Sequence, residues 1–483
     1  MNKKQAMLMI LDGFGENSKK DGNAIKLANT PNIDTLMKKY PTAKIVTSGK
    51  DVGLPEGQIG DQEVAKQNIN AGRIVKQDLT RITSSIENGD FFTNQEFISA
   101  IENCKKHNSK LHIMGLLSDG GVHSHIRHLY ALLEMAKRRD FEDVYIHCFL
   151  DGRDTLPASA ESFLTNLQSK IKEKGIGKIA SMSGRHYSMD NEKKWERTEK
   201  TYNALVFGEG ICARKPIMAI EQSYQKEEFD EFVEPVVICN SEGPIAKIEN
   251  NDSVIFFNFR HDRAKQITRA LVDHSFDKFK TKKLKLYFVC FTEYDKSLPN
   301  VHIAFEKEKL RNTFDRVLLK NDISKINIAE KSCAVDEQKI KNCLNETTEK
   351  AIEAIRSGKY DFITLNYTAA DRLGHTGSLN ATIEVIEVLD ECIGKIIKEV
   401  NNKKGTILIT SSYGNCEQMI DYTTGEPHTA HTTNPVPIIY VTDKKNIKLK
   451  SGKLEDIAPT LLSILEIEKP KEMTGESLII LDR

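Results

Sequence analysis

Asp371 and His375 stand four residues apart in Asp371-Arg-Leu-Gly-His375, so on a helical turn they share one face. His428-Thr-Ala-His431 adds two imidazoles ahead of an apolar run, Val436–Val441. One carboxylate with two imidazole nitrogens is a ligand set for Mn²⁺, Zn²⁺ or Fe²⁺. A second set is cationic. Arg153, Arg185, Arg260 and Arg263 follow apolar runs or sit in glycine-containing turns. Guanidinium groups there suit bidentate binding of phosphate or carboxylate. Taken singly, each residue also has an ordinary reading: a hydrogen-bonded structural histidine, or an arginine in a surface ion pair.

The elements that must position these groups are short apolar runs ending in polar residues. Ala6–Leu11 ends at Asp12-Gly13, and Leu111–Leu117 leads into Ser118-Asp119-Gly120-Gly121. Val144–Leu150 leads into Asp151-Gly152-Arg153-Asp154, and Ser253–Phe259 into Arg260. Leu284–Phe291, Tyr360–Leu365 and Thr406–Thr410 end at Thr292, Asn366 and Ser411. Such runs read as buried strands. Between them lie helical patterns. In Ala381–Val400 the apolar residues Ile386, Leu389, Ile393, Ile396, Ile397 and Val400 form one stripe. Strands alternating with helices predict an α/β architecture with mostly parallel sheets. Ligands then sit beyond the C-terminal strand ends, where these polar residues fall.

Composition narrows the function classes. The chain has 483 residues, which suggests two large domains or three ordinary ones. Lys+Arg and Asp+Glu are both 69, so the formal charge is zero and a general nucleic-acid binder is not expected. No apolar run approaches the roughly 18 residues of a membrane-spanning helix, so no membrane partner is expected. The N-terminal apolar stretch is too short for a secretory signal, and a cytoplasmic protein is expected. Nine cysteines include no CxxC pair; buried reduced thiols are expected rather than a disulfide framework.

Several longer motifs carry a resemblance. They include Leu-Asp12-Gly-Phe-Gly15, Val52-Gly-Leu-Pro-Glu-Gly57, Ala71-Gly-Arg-Ile74 and Ser118-Asp-Gly-Gly-Val-His123-Ser-His125. Asp151-Gly-Arg153-Asp154, Gly184-Arg185 and Asn258-Phe-Arg260-His-Asp-Arg263 follow. Gly374-His375-Thr-Gly377 and His428-Thr-Ala-His431-Thr-Thr-Asn-Pro435 complete the series. In these stretches the chain resembles the cofactor-independent (2,3-bisphosphoglycerate-independent) phosphoglycerate mutases of the alkaline phosphatase superfamily. The resemblance implies a phosphatase-like, metal-binding α/β domain from residues 1–76 and 307–483. It implies an inserted α/β substrate domain, 77–306. It also implies a monomer that interconverts 3- and 2-phosphoglycerate, a small phosphorylated three-carbon acid, with Mn²⁺ and without bisphosphoglycerate. His123, Arg153, Asp154, Arg185, Arg260, Arg263 and Lys331 correspond to the substrate groups, with Asp154 at the general-base position. Asp371, His375 and His431 correspond to the ligands of one metal, with His428 the nearby alternative to His431.

The same resemblance exposes departures. The family's loop Gly-Asn-Ser-Glu-Val-Gly-His carries the nucleophilic serine, and here Gly60-Asp61-Gln62-Glu63-Val64-Ala65-Lys66 puts Gln62 at that position. A carboxamide cannot become a phosphoserine, so the usual covalent route is blocked; Asp61 is a poor substitute. The family's second metal takes an Asp-His pair where this chain has Ser412 and Tyr413, which leaves Asp12 as that position's ligand. Asn191 stands in place of an expected arginine. After Val335 the chain lacks a stretch that includes a covering segment of the closed site. One metal site and a catalytically impaired protein that binds phosphoglycerate or a protein partner are therefore the alternative expectation to a working mutase.

Overall fold

The computed structural model describes residues 4–331 and 336–481. The shortening expected after Val335 falls at 332–335, outside the described residues. The chain divides into two compact units, Met1–Gln77 with Lys309–Arg483, and Asp78–Glu308.

The first unit is built on a seven-stranded sheet in the order Lys325–Ala329, Phe362–Tyr367, Ala6–Leu11, Thr406–Thr410, Val436–Val441, Thr42–Val46, Gly452–Lys453. Its first four strands run parallel; Val436–Val441 is antiparallel to both neighbours. Ala6–Leu11 lies in the middle and is buried throughout. Its side chains alternate between two cores: Met7, Met9 and Leu11 on one face, Ala6, Leu8 and Ile10 on the other. Burial on both faces is why this strand reads as an unbroken apolar run. The helix Leu379–Asn402 packs its buried Ile386, Leu389, Ile393, Ile396 and Val400 into the first of those cores. Each such aliphatic side chain contributes about 1.5–3 kcal/mol.

The second unit holds a nine-stranded sheet whose main path is Val301–Ile303, Tyr287–Cys290, Ser253–Phe256, Leu111–Leu116, Val144–Leu150, Lys178–Gly184, Val236–Asn240, Ile211–Ala213. All neighbours on this path are parallel except Lys178–Gly184 with Val236–Asn240. Two strands are shorter than their apolar runs. Ser253–Phe256 stops before Phe259, and Tyr287–Cys290 begins after Leu284. Phe257–Phe259 stay buried but leave the ladder, whereas before Tyr287 only Leu284 is buried and Lys285 is exposed. Among the described residues no helix is long and apolar enough to cross a membrane.

The cysteine expectation needs correction. Cys212 and Cys239 form a disulfide, with Cα atoms 5.9 Å apart. They lie on the paired strands Ile211–Ala213 and Val236–Asn240, where Cys212 faces Val237. Cross-strand pairing 27 residues apart in the chain brings the two thiols together, and no spacing rule reports it. Cys343 is also disulfide-bonded. Cys104, Cys148, Cys290, Cys392 and Cys416 are free and buried, as reduced core thiols.

A polar chain crosses the sheet of the second unit. Asp252 Oδ2 lies 3.1 Å from His112 Nε2, His112 Nδ1 lies 2.9 Å from His147 Nε2, and His147 Nδ1 lies 2.8 Å from Ser181 Oγ. All four residues are buried. Burial, then the neighbouring His112, pushes the His147 pKa far down. Burial, then His125, lowers that of His128 to about 3. In the unfolded chain a histidine titrates near 6.5. Above that value both states are neutral and pH has no effect through these groups. Below it the unfolded chain binds protons that the folded chain refuses. Stability should therefore fall as pH drops from 7 to 5, approaching about 1.4 kcal/mol per pH unit for each such histidine. Denaturant midpoints measured across that range test this, and His128→Gln should flatten the slope by about one proton. An equal slope in the variant would rule out His128 as a contributor.

Candidate metal and phosphate centres

The first centre lies at the C-terminal strand ends of the first unit. Asp12 follows Ala6–Leu11, Asn366 is the penultimate residue of the neighbouring strand Phe362–Tyr367, and Ser411 and Ser412 follow Thr406–Thr410. Asp371 sits in the short helix Ala369–Gly374, and His375 is its C-cap. Glu330 accepts bonds from the Thr368 and Ala369 amides and pairs with Arg372, which fixes this helix to the adjacent strand. Gly13 allows the close packing. It adopts φ +82°, and a Cβ there would lie 2.9 Å from Asp371 Cα.

Asp371, His375 and His431 converge. One ligand atom from each lies within 4.8 Å of the others. Asp371 Oδ1 is 3.4 Å from Nε2 of both imidazoles. His375 Nδ1 donates to the Thr429 carbonyl at 2.6 Å, and His431 Nδ1 to the Gly60 carbonyl at 2.8 Å. A carbonyl only accepts, so each Nδ1 carries the proton and each Nε2 lone pair faces Asp371. His431 Nε2 is buried without a hydrogen-bond partner. Backbone-anchored imidazoles with free Nε2 atoms beside a carboxylate fit a divalent ion. His428 does not join this group. Burial alone would raise the Asp371 pKa, but the neighbouring His431 and His375 imidazoles and the Asn415 amide bring it down; His431 is raised in turn by Asp371, against its own burial.

The position beside Asp12 differs. Gln62 Nε2 donates to Asp12 Oδ2 at 2.8 Å, and Asn366 Nδ2 donates to the same oxygen at 3.1 Å. Ser412 adds a further side-chain hydrogen bond. Asp12 is 1% exposed, and burial raises its pKa despite these donors. Its Oδ1 lacks a partner, so one carboxylate oxygen is what this position offers a cation. The hydroxyls of Ser412 and Tyr413 and the Gln62 amide add no anionic or imidazole ligand. Among the described residues no second cluster of metal-ligating side chains is present. The residues present do not fit a second divalent ion. Asp61 is also committed elsewhere: it caps the helix Gln62–Ala71 by accepting from the Val64 amide at 2.8 Å.

Glu417 was not legible as part of this centre. Fully buried, it accepts bonds from the amides of Gly15 and Asn415, from Asn434 Nδ2 and from the Thr432 hydroxyl. It thereby ties the Asp12 turn, the Asn415 loop and the residue after His431 to one carboxylate. A single Glu among 69 acidic residues carries no sequence signal of that kind.

The second centre lies within the second unit, again at strand ends. Asp151 is 1% exposed and gathers four donors. Ser118 Oγ and Arg185 Nη1 reach it at 2.6 Å, and the amides of Arg153 and Asp154 at 3.2 and 3.0 Å. Gly152 makes the turn possible: its φ is +70°, and a Cβ would meet Asp230 Cβ at 2.9 Å. Arg185 Nη1 also donates to Asp154 Oδ2 at 2.7 Å. Burial opposes ionisation of Asp151, but its hydrogen bonds and Arg185 hold the pKa below the usual carboxylate value. His123 Nε2 lies 4.0 Å from Asp154, and His123 Nδ1 lies 3.7 Å from Asp262. Burial and then Arg185 lower the His123 pKa to about 4, so it is neutral at pH 7.

The other residues expected here lie farther out. Arg260 pairs with Asp262 at 3.1 Å, and Arg263 donates to the Met189 carbonyl at 3.4 Å. The exposed Arg153 guanidinium lies 3.7 Å from Glu231. Asn191 is exposed, beside a buried Asp190. Lys331 is exposed in the first unit, just past the strand Lys325–Ala329. The structure thus brings together Arg185, Asp154 and His123, with Asp151 as the shared anchor. Asp151 appears in the motif, but nothing in its spacing marks it as the buried acceptor.

Comparison with known proteins agrees with this architecture. Residues 82–296 match the family described as BPG-independent PGAM N-terminus. The chain is 50% identical to a 2,3-bisphosphoglycerate-independent phosphoglycerate mutase of Acetivibrio thermocellus, over 99% of this chain and 100% of that protein. A namesake from Clostridium botulinum is 48% identical with the same coverage. A crystal structure of Leishmania mexicana phosphoglycerate mutase at low cobalt concentration superposes with a TM-score of 0.64 at 26% identity, covering 99% of this chain and 98% of that one. With identity this high from end to end, the chain belongs to the family of 2,3-bisphosphoglycerate-independent phosphoglycerate mutases.

Proposed function

We propose that this protein acts on 3- and 2-phosphoglycerate without bisphosphoglycerate, using one divalent ion, Mn²⁺, held by Asp371, His375 and His431. The observation that carries the reading is the 50% identity to the Acetivibrio thermocellus enzyme over the whole chain. In this reading the Asp78–Glu308 unit takes the substrate. Arg185 binds an anionic oxygen while orienting Asp154 through its hydrogen bond, and Asp154 accepts a proton from a glycerate hydroxyl. Neutral His123 hydrogen-bonds a phosphoryl oxygen. Arg153, Arg260 and Arg263 supply further positive charge. The ion, when bound, neutralises phosphoryl charge. Gln62 has no hydroxyl, so no phosphoserine forms at residue 62.

The test is interconversion of the two phosphoglycerates by the purified chain with Mn²⁺, alongside calorimetric binding of 3-phosphoglycerate. Turnover above a protein-free control is the expected result for a mutase. A second reading is a protein that binds phosphoglycerate without converting it. The Gln62–Asp12 bond favours that reading, because an amide donor fills the nucleophile's place. Binding without turnover would select the second reading; absence of both would overturn both.

A further inference from the structure

Tyr413 meets the Asp371–His375–His431 group in two ways. Its hydroxyl donates to Asp371 Oδ2 at 3.1 Å. Its ring lies on the imidazole of His431, with centroids 3.7 Å apart and planes 20° from parallel. The side chain is buried, at 4% exposure. The two oxygens of Asp371 are therefore divided. Oδ2 faces Tyr413, while Oδ1 faces both imidazole Nε2 atoms and accepts from Asn415 Nδ2 at 2.9 Å. That division fixes the rotation of the carboxylate. His431 is held at its Nδ1 by the Gly60 carbonyl and over its face by the tyrosine ring. Ligands locked in this way lose little freedom when an ion arrives, which raises affinity.

We propose that Tyr413 is the positioning residue of a single-ion centre: it orients Asp371 through Oδ2 and His431 through the stacked ring, without itself ligating the ion. The cation is a divalent first-row metal suited to two imidazoles and one carboxylate. This rests on reading Asp371, His375 and His431 as its ligands. Hydrogen-bond partners of metal ligands typically contribute about 10–100-fold to affinity, and Tyr413 supports two ligands at once.

The experiment is a Mn²⁺ titration of the full chain, with free ion read by electron paramagnetic resonance, on wild type, Tyr413→Phe and Tyr413→Leu. Tyr413→Phe keeps the stack and removes the hydroxyl; Tyr413→Leu removes both. Expected are one ion per wild-type chain, affinity about 10-fold weaker or more in the Phe variant, and weaker again in the Leu variant. At saturating Co²⁺ the visible bands of the Phe variant should shift, a sign of altered ligand geometry that a loss of stability does not produce. Equal affinity and equal spectra in wild type and Phe variant would overturn the role of Tyr413 and leave the ligand set standing. Tighter binding by the Phe variant would make the hydroxyl a competitor for Asp371 and also overturn it. No Mn²⁺ binding by folded wild type would instead remove the ligand set itself.

Discussion

Gln62→Ser alone is expected to leave phosphoglycerate interconversion close to the wild-type level, whereas Gln62→Ser/Ser412→Asp/Tyr413→His should exceed it by about 100-fold or more. A serine hydroxyl is a weak nucleophile until a base or a metal activates it. Beside position 62 stand a buried Asp12 with a raised pKa, the Asn366 amide and the neutral Ser412 hydroxyl. The double replacement at 412 and 413 adds an anion and an imidazole to that place. Metal stabilisation of phosphoryl charge is worth several kcal/mol, and each 1.4 kcal/mol is about tenfold in rate, so about two or three decades are at stake. Metal analysis provides a second readout: at saturating Mn²⁺, which offsets the lost support of Tyr413 for Asp371 and His431, the triple variant should hold more Mn²⁺ per chain than Gln62→Ser. Full activity from the single change would sink this account of the Asp12 position.

Arg185→Ala is expected to destabilise the chain by about 3–5 kcal/mol and to abolish 3-phosphoglycerate binding. Arg185 is 3% exposed and bridges Asp151 and Asp154 through one nitrogen. Its removal leaves the buried Asp151 charge without its cation, the costly way to break a buried pair. The pH dependence follows from the Asp151 pKa, which lies below the ordinary carboxylate value in the wild type. Stability of that origin is fully present above the unfolded value near 3.9 and is lost as pH falls through the lower folded value. The gap between wild type and variant should therefore be widest near pH 7 and close at acid pH. Chemical denaturation at pH 7 and at about pH 2 reads both. An unchanged midpoint at pH 7 would show that Asp151 does not depend on Arg185.

What the sequence by itself determined is what depends on nearest neighbours and on whole-face burial. Ala6–Leu11 is legible because a strand covered on both sides must be apolar at every position. The helix Leu379–Asn402 is legible because a helix covered on one side repeats its apolar residues every turn. Asp371 and His375 are legible as a pair because four residues are one helical turn. Gln62 is visible as a lost hydroxyl from its residue type alone.

Tertiary structure decided the rest. His431 rather than His428 joins Asp371 because a loop, not a periodic element, carries both, and its path depends on Glu417 and the Gly60 carbonyl. Tyr413 reads as a lost ligand in sequence, yet it sits against Asp371 and His431 because its strand-end turn packs on theirs. Cys212 and Cys239 meet only through strand pairing. Asp151 and Arg185 meet because neighbouring parallel strands end side by side. Outlying strands such as Lys325–Ala329, at the sheet edge, and Thr42–Val46, one strand in from the other edge, each with one buried residue, lack the apolar run that marks the central ones. In each case the deciding contact joins segments whose separation along the chain follows no period. Only packing brings them together.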